Sequence, residues 1–371
     1  MTAAKATPNH SFFDFTNPVE VPKLTGDDAL LSELVATRAF QRLKSIRFLG
    51  GIDYILVRAP NGASGNIRYT RYQHSLGVAR LALTYCNRRA LPISDRRLVS
   101  VAALLHDIGH PPLSHSLEPV FEEAFGLEHH RATQQIVTGH VPYGREVYDT
   151  LVRNGIDVEH VIALISGSVA DYDGFFSGPI NFDTIEGILR SRSYTKANAN
   201  VPSPEAVTEA AIRRADQKDI EVVDSFWHYK DEVYRHIINS RRGVLADLAC
   251  QWSMRGHLHQ FEPDDYFSTE SEVFRKLPDL RKLLTDRSFE TEILRQLTKP
   301  VLYKARRFFV DPSGDFCKRD DNVRYRQTRE ERVISRRDIG VAVVEELDRD
   351  LFDDQCDQSS KAALRAEDQI A

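Results

Sequence analysis

Val101-Ala-Ala-Leu-Leu-His-Asp-Ile-Gly-His-Pro-Pro-Leu-Ser-His115 is the stretch on which the reading turns. Its first five residues are apolar and suit a buried helix. Gly109, Pro111 and Pro112 then stop that helix. Neighbouring helical residues project about 100° apart, so His106 and Asp107 do not stack on each other. Both can reach one ion lying beside the helix end. Asp107 and His110 are three apart and share a face. His110 and His115 fall on the turn where the helix breaks. A single histidine beside the last helical carbonyls reads most simply as a favourable charge at that end. That reading is weak for a whole cluster, because several titratable side chains beside a Leu-Leu pair need compensating partners. Five of the thirteen histidines (His106, His110, His115, His129 and His130) fall within residues 106–130.

Two flanking stretches add to this centre. Upstream, Arg71-Tyr-Gln-His-Ser-Leu-Gly-Val-Ala79 puts His74 at a helix start, with Arg71 one turn before it. Downstream lies Pro179-Ile-Asn-Phe-Asp-Thr-Ile-Glu186. Taken alone, Asp183 there reads as a helix cap, since Asp183 and Glu186 have capping-box spacing.

In order, His74, His106-Asp107 and Asp183 resemble the H…HD…D pattern of the HD-domain metal-dependent phosphohydrolases. The likeness extends to Ala39-Phe-Gln-Arg-Leu-Lys-Ser-Ile-Arg-Phe-Leu-Gly-Gly51, to Arg71–Val78, to Leu104–His115 and to Tyr303–Pro312. Together these are similar to the deoxynucleoside triphosphate triphosphohydrolase branch. The resemblance implies a divalent cation on His74, His106, Asp107 and Asp183. Such a mixed N/O donor set suits Mn2+, Mg2+, Fe2+, Ni2+ or Zn2+. It also implies catalytic work by His110, His115 and Asp107, since imidazole titrates near working pH. Arg71 matches a phosphate-binding arginine and His130 a pocket histidine. Arg190 and Arg241 are further candidates for a phosphate-binding wall.

Several positions depart from that branch. Thr184 stands where a phosphate-binding Lys is usual, Gly187 where a Tyr is usual, and Ser191 replaces an Asp. Phe48 replaces a Gln that touches the sugar, and Arg131 replaces the Glu after the pocket histidine. Ile238 lies near the place of a Tyr that blocks the ribose 2′-hydroxyl. These changes remove polar contacts that discriminate between nucleotides.

The 371 residues are 42% hydrophobic and 28% charged, an ordinary globular balance. Apolar runs are too short to span a bilayer, and no signal peptide is evident. A net charge of −5 argues against bulk nucleic-acid binding. Four scattered cysteines (Cys86, Cys250, Cys317, Cys356) lack CxxC spacing, which points to a reduced, cytoplasmic protein.

The expected fold is mainly α: an HD-domain helical core with a small mixed α/β C-terminal appendage. An irregular lead-in covers 1–26, the helical domain 27–298, the appendage 299–352 and a disordered tail 353–371. One helix is expected over Asp27–Ile46, others over His74–Arg89 and Asp95–Ile108, and strands over Tyr303–Val310 and Val323–Ile334.

The expected activity is metal-dependent cleavage of a nucleotide phosphoester or phosphoanhydride, foremost that of a nucleoside triphosphate, by a homo-oligomer. A nucleotidase or phosphodiesterase acting on another phosphorylated small molecule is the alternative. A nucleotide-sensing or nucleic-acid-binding module is less favoured. Its support is the basic stretch Lys318–Arg329, which reads better as an edge strand protected by charge.

Overall fold

The computed structural model describes residues 28–55, 69–169, 172–194, 201–314 and 324–339. The lead-in, the loop expected at 58–68, the segment starting at Val341 and the tail lie outside these residues. So does the first half of the connector expected at 197–204.

The first helix pair shows how local chemistry sets the elements. α1 (Asp28–Ala36) and α2 (Arg38–Arg42) replace the single helix expected over Asp27–Ile46. Thr37 divides them. Its backbone is extended, its hydroxyl donates to Leu34 O at 2.6 Å, and the same oxygen accepts from Phe40 N. One side chain thus closes a helix and caps the next.

α3 (Ile52–Ile55) leads to α4 (Arg71–Arg88), which begins three residues earlier than expected. The reason is Thr70, which forms a capping box with Gln73. α5 (Ile93–Leu105) stops just before His106. α6 (Glu118–Phe125), α7 (His129–Val137), α8 (Arg145–Arg153) and α9 (Val158–Ile165) follow. α10 (Phe182–Arg192) is capped by Asn181, whose side chain accepts from Thr184 N at 2.7 Å. Asp183 is therefore not the cap, and its carboxylate is available for other work. α11 (Pro204–Arg213) and α12 (Gln217–Val233) come next, and α12 runs on into a π-helical turn over Tyr234–Ile238. α13 (Arg241–Gly256), α14 (Glu270–Lys276), α15 (Pro278–Thr285) and α16 (Phe289–Gln296) complete the helices.

Among the described residues the sheet is one antiparallel hairpin, β1 (Val301–Val310) with β2 (Tyr325–Ile334). Its register runs from Val301↔Ile334 to Val310↔Tyr325. Phe308 packs edge-on against Trp227 of α12, with ring centroids 5.5 Å apart. Arginines and glutamates dominate β2 and alternate in exposure, as suits a strand with one solvated face.

Two apolar clusters make up the core. One gathers Leu30, Leu34, Phe40 and Leu76 with the inner faces of α5, α8 and α9. The other gathers Phe121, Phe182, Phe226, Trp227 and Phe289 with the hairpin residues Val301, Phe308 and Ile334. α4 and α5 contribute to both clusters. Their paired ends therefore lie on the seam between the two, where the histidine motif falls.

Candidate metal centre

His74 sits in the first turns of α4 with no exposed surface. Its Nδ1 lies 2.5 Å from Glu186 Oε2. His106 follows the last residue of α5, and its Nδ1 lies 2.9 Å from Ala103 O. A carbonyl only accepts, so the His106 proton is on Nδ1 and the Nε2 lone pair is free. Glu186 plays the equivalent part for His74. Both Nε2 atoms are buried, and neither makes a hydrogen bond of acceptable geometry.

Carboxylates surround these two nitrogens. Asp107 Oδ2 is 3.4 Å from each Nε2. Asp183 Oδ1 is 3.0 Å from His74 Nε2 and 3.8 Å from His106 Nε2. Lone pairs that face carboxylates repel one another unless positive charge lies between them. Burial pushes His74 down, but Glu186, Asp107 and Asp183 together raise it to about 10. Burial opposes His106 in the same way, and Asp107 and Asp183 raise it to about 9. The same two imidazoles hold Asp183, whose side chain is 56% exposed, well below the usual carboxylate range in spite of partial desolvation. Two orphaned imidazole nitrogens and two carboxylates fit a divalent cation, which supplies the missing positive charge.

The wall around this group is close-packed. Arg71 Nη1 donates to Asp107 Oδ2 at 2.5 Å, and Arg71 Nε donates to Ser114 Oγ at 3.0 Å. Its guanidinium lies over the Phe48 ring, 5.0 Å from the centroid. Phe48 packs on His74 with centroids 4.6 Å apart. A Cβ at Gly187 would stand 3.3 Å from Phe48, 3.6 Å from His74 and 3.8 Å from Asp183. The Phe48 and Gly187 departures therefore meet at one spot beside the histidine.

The turn after α5 is held from behind. Arg42, buried, donates to Ile108 O at 3.0 Å and to His110 O at 2.8 Å. Gly109 lets α7 come close, since a Cβ there would fall 2.2 Å from Thr133 N. Leu113 and Ser114 have φ of 58° and 47°, a strained pair immediately before His115.

That turn builds a second cluster beside the first. His110 is buried, with Nε2 3.2 Å from Asp107 Oδ1. Burial pushes it well below its usual range, with the Arg71 charge acting in the same direction, so it is a neutral imidazole. Its ring stacks on His129 at 4.4 Å and 9°. His115 is 61% exposed, with Nδ1 2.8 Å from Glu118 Oε2. Glu118 Oε1 meets His129 Nδ1 at 2.5 Å and accepts from His129 N at 2.8 Å. Against burial, those two histidines hold Glu118 far below the carboxylate range. His130 is exposed and leans on His129, with centroids 3.9 Å apart.

Two expected substrate contacts have other partners. Arg190 is buried and pairs with Glu186, with Nε 2.9 Å from Oε1. This corrects its assignment to a phosphate wall, because the guanidinium is enclosed behind His74. Arg241 pairs with Glu290 of α16 and donates to Asp338 O at 3.4 Å, so it too is otherwise engaged. In turn, the motif reading missed Glu118, His129 and Glu186. Glu186 was visible only as cap spacing. His129 is the neighbour of the histidine that was chosen, and its inward aim is set where Glu128 caps α7.

A family model of the HD domain matches residues 71–170. These residues form an HD domain within the chain. The match takes in Arg71, His74, the His106-Asp107 pair and the whole second cluster. The chain is 28% identical over 303 residues to the uncharacterized protein MG461 homolog of Mycoplasma pneumoniae, covering 75% of this chain and 68% of that protein. It is 31% identical over 195 residues to the uncharacterized protein YwfO of Bacillus subtilis, covering 51% of this chain and 42% of that one. It is 42% identical over 101 residues to the deoxynucleoside triphosphate triphosphohydrolase SAMHD1 of Mus musculus, covering 25% of this chain and 14% of that protein. The domain and its His/Asp cluster support a metal-dependent phosphohydrolase. No helix among the described residues is long and apolar enough to cross a membrane.

Proposed function

We propose that this protein hydrolyses a nucleoside triphosphate, cleaving at a phosphoester or phosphoanhydride, with a divalent cation held by His74, His106, Asp107 and Asp183. The carrying observation is the pair of orphaned Nε2 atoms that face Asp107 and Asp183 while both Nδ1 atoms are occupied. The likeness to a deoxynucleoside triphosphate triphosphohydrolase supports the substrate class. The bound cation supplies Lewis acidity toward a phosphoryl oxygen and acidifies water. Asp107 joins the two clusters, facing His74 and His106 on one oxygen and His110 on the other. Arg71 fixes the Asp107 carboxylate, which then cannot rotate away from the ion. His115 is the exposed member of its cluster, and Glu118 orients it through Nδ1. Its Nε2 is free to hand a proton to a leaving oxygen or take one from water. His110 stays neutral and buried, lining the path between Asp107 and His115. His130 is an outer contact for substrate. The active form is a homo-oligomer, which sedimentation velocity at working concentration checks.

The deciding experiment incubates the purified protein with Mn2+, Mg2+, Fe2+, Ni2+ or Zn2+ in turn. Each is assayed against NTPs, dNTPs, nucleoside monophosphates and bis(p-nitrophenyl) phosphate. Release of tripolyphosphate or phosphate from a nucleoside triphosphate is the expected result. Activity confined to monophosphates or diesters would move the assignment to a nucleotidase or phosphodiesterase.

A further inference from the structure

We infer that Glu186 is a positioning residue for the metal ligand His74, and that Gly77 and Arg190 are what allow a carboxylate to stand there. The inference rests on the reading of His74 as a ligand. Glu186 is 3% exposed and lies on α10, facing α4. Helix α10 does not need it, because Asn181 already caps the helix. Its burial therefore calls for another explanation, and His74 Nδ1 at 2.5 Å provides one.

The surroundings are built for this contact. A Cβ at Gly77 would fall 2.2 Å from Glu186 Oε1 and 2.7 Å from its Cδ. The missing side chain on α4 is thus the space the carboxylate fills. A lone buried carboxylate is costly, and Arg190 offsets that cost from one turn along α10. Arg190 is itself held, since Nη2 donates to Gln73 O at 3.2 Å and the guanidinium covers the Tyr69 ring at 4.6 Å. Gln73 is the residue before His74, so the ion pair grips α4 on both sides of the ligand. With Nδ1 bound to an anion, the imidazole keeps its proton there and turns its lone pair toward Asp107 and Asp183. The nearby charge also makes Nε2 a stronger donor to a cation.

The test measures Mn2+ binding to the metal-stripped full chain by calorimetry, beside the thermal midpoint of the stripped protein. Glu186→Gln keeps the shape and removes the charge. The double variant Glu186→Gln with Arg190→Gln also removes the stranded guanidinium, so it covers the case in which the single variant fails to fold. Removal of such an outer partner typically weakens metal binding by about 10–100-fold, the expected result for both variants and for Gly77→Ala. In the double variant the stripped protein should melt near the parent, which a merely structural role would not give together with weak binding. Parent-like Mn2+ affinity in the double variant, with His74→Ala unable to bind, would overturn the inference and leave the metal site standing. Parent-like affinity in His74→Ala would instead remove the ligand assignment itself.

Discussion

Asp107 is the residue on which both clusters depend. It contacts Arg71, His74, His106 and His110 at once. Asp107→Ala is expected to lose metal and turnover together, measured by metal content and phosphate release. His115→Ala should keep its metal and lose about 10²–10⁴-fold in kcat, the usual value of positioned acid–base help. Selectivity belongs to this scale too. Phe48 offers no hydrogen bond, Gly187 offers no side chain, and both lie against His74. GTP and dGTP should therefore differ by less than about 10-fold in kcat/KM, since no polar group among these reads the sugar. A deoxy preference of several hundred-fold would show that another residue guards the 2′-position. Asp247 offers a pH test. Burial pushes its carboxyl up to about 6, while the Ser116 hydroxyl bond at 2.6 Å opposes the shift. A raised folded pKa means that the stability is present below the unfolded value near 3.8 and is lost as pH rises through 6. Asp247→Asn should match the parent near pH 4 and exceed it at pH 7 by roughly 1–3 kcal/mol in urea unfolding.

At the scale of elements, the parts of the site written as short runs were the legible ones. The helix leading into His106-Asp107 follows from local rules, although α5 stops at Leu105, short of the expected Ile108 and before the Gly-Pro-Pro break is reached. Asp183 needed its neighbours in the H…HD…D order, because alone it looked like a cap. Glu118 and His129 were hidden because their pairing joins α6 to α7, and the angle between two helices is not written in either one. Arg190 was misjudged for a related reason: a helical arginine reads as solvated until the opposite helix is seen to cover it. The break at Thr37 was missed because the apolar stripe of Leu30, Leu34, Phe40 and Leu43 continues across it. Thr37 serves two helix ends, so Thr37→Ala should cost about 1 kcal/mol or somewhat more of unfolding free energy, read from urea midpoints at constant slope.

On the scale of the whole molecule, the site lies between two apolar bodies that share α4 and α5. Asp183 comes from α10, whose Phe182, Ile185 and Leu189 belong to one apolar cluster. Next to Asp107, Ile108 belongs to the other. The hairpin belongs to the first body through Phe308 and Trp227, so it shares that body's fate on unfolding. Chelation should lower the thermal midpoint and should speed amide exchange at the C-terminal end of α5 and the start of α10 together, since ligands stabilise the state they bind. Equal exchange with and without metal would argue that the two bodies need no ion to stay joined. The placement on the seam has a further consequence for the protein's lifetime. An ion held there would act as a rivet, and its loss would free a joint rather than a surface. A protease such as thermolysin, inhibited by the same chelators, is unsuitable for probing this joint. Trypsin is suitable, and the stripped protein should be nicked first near the seam.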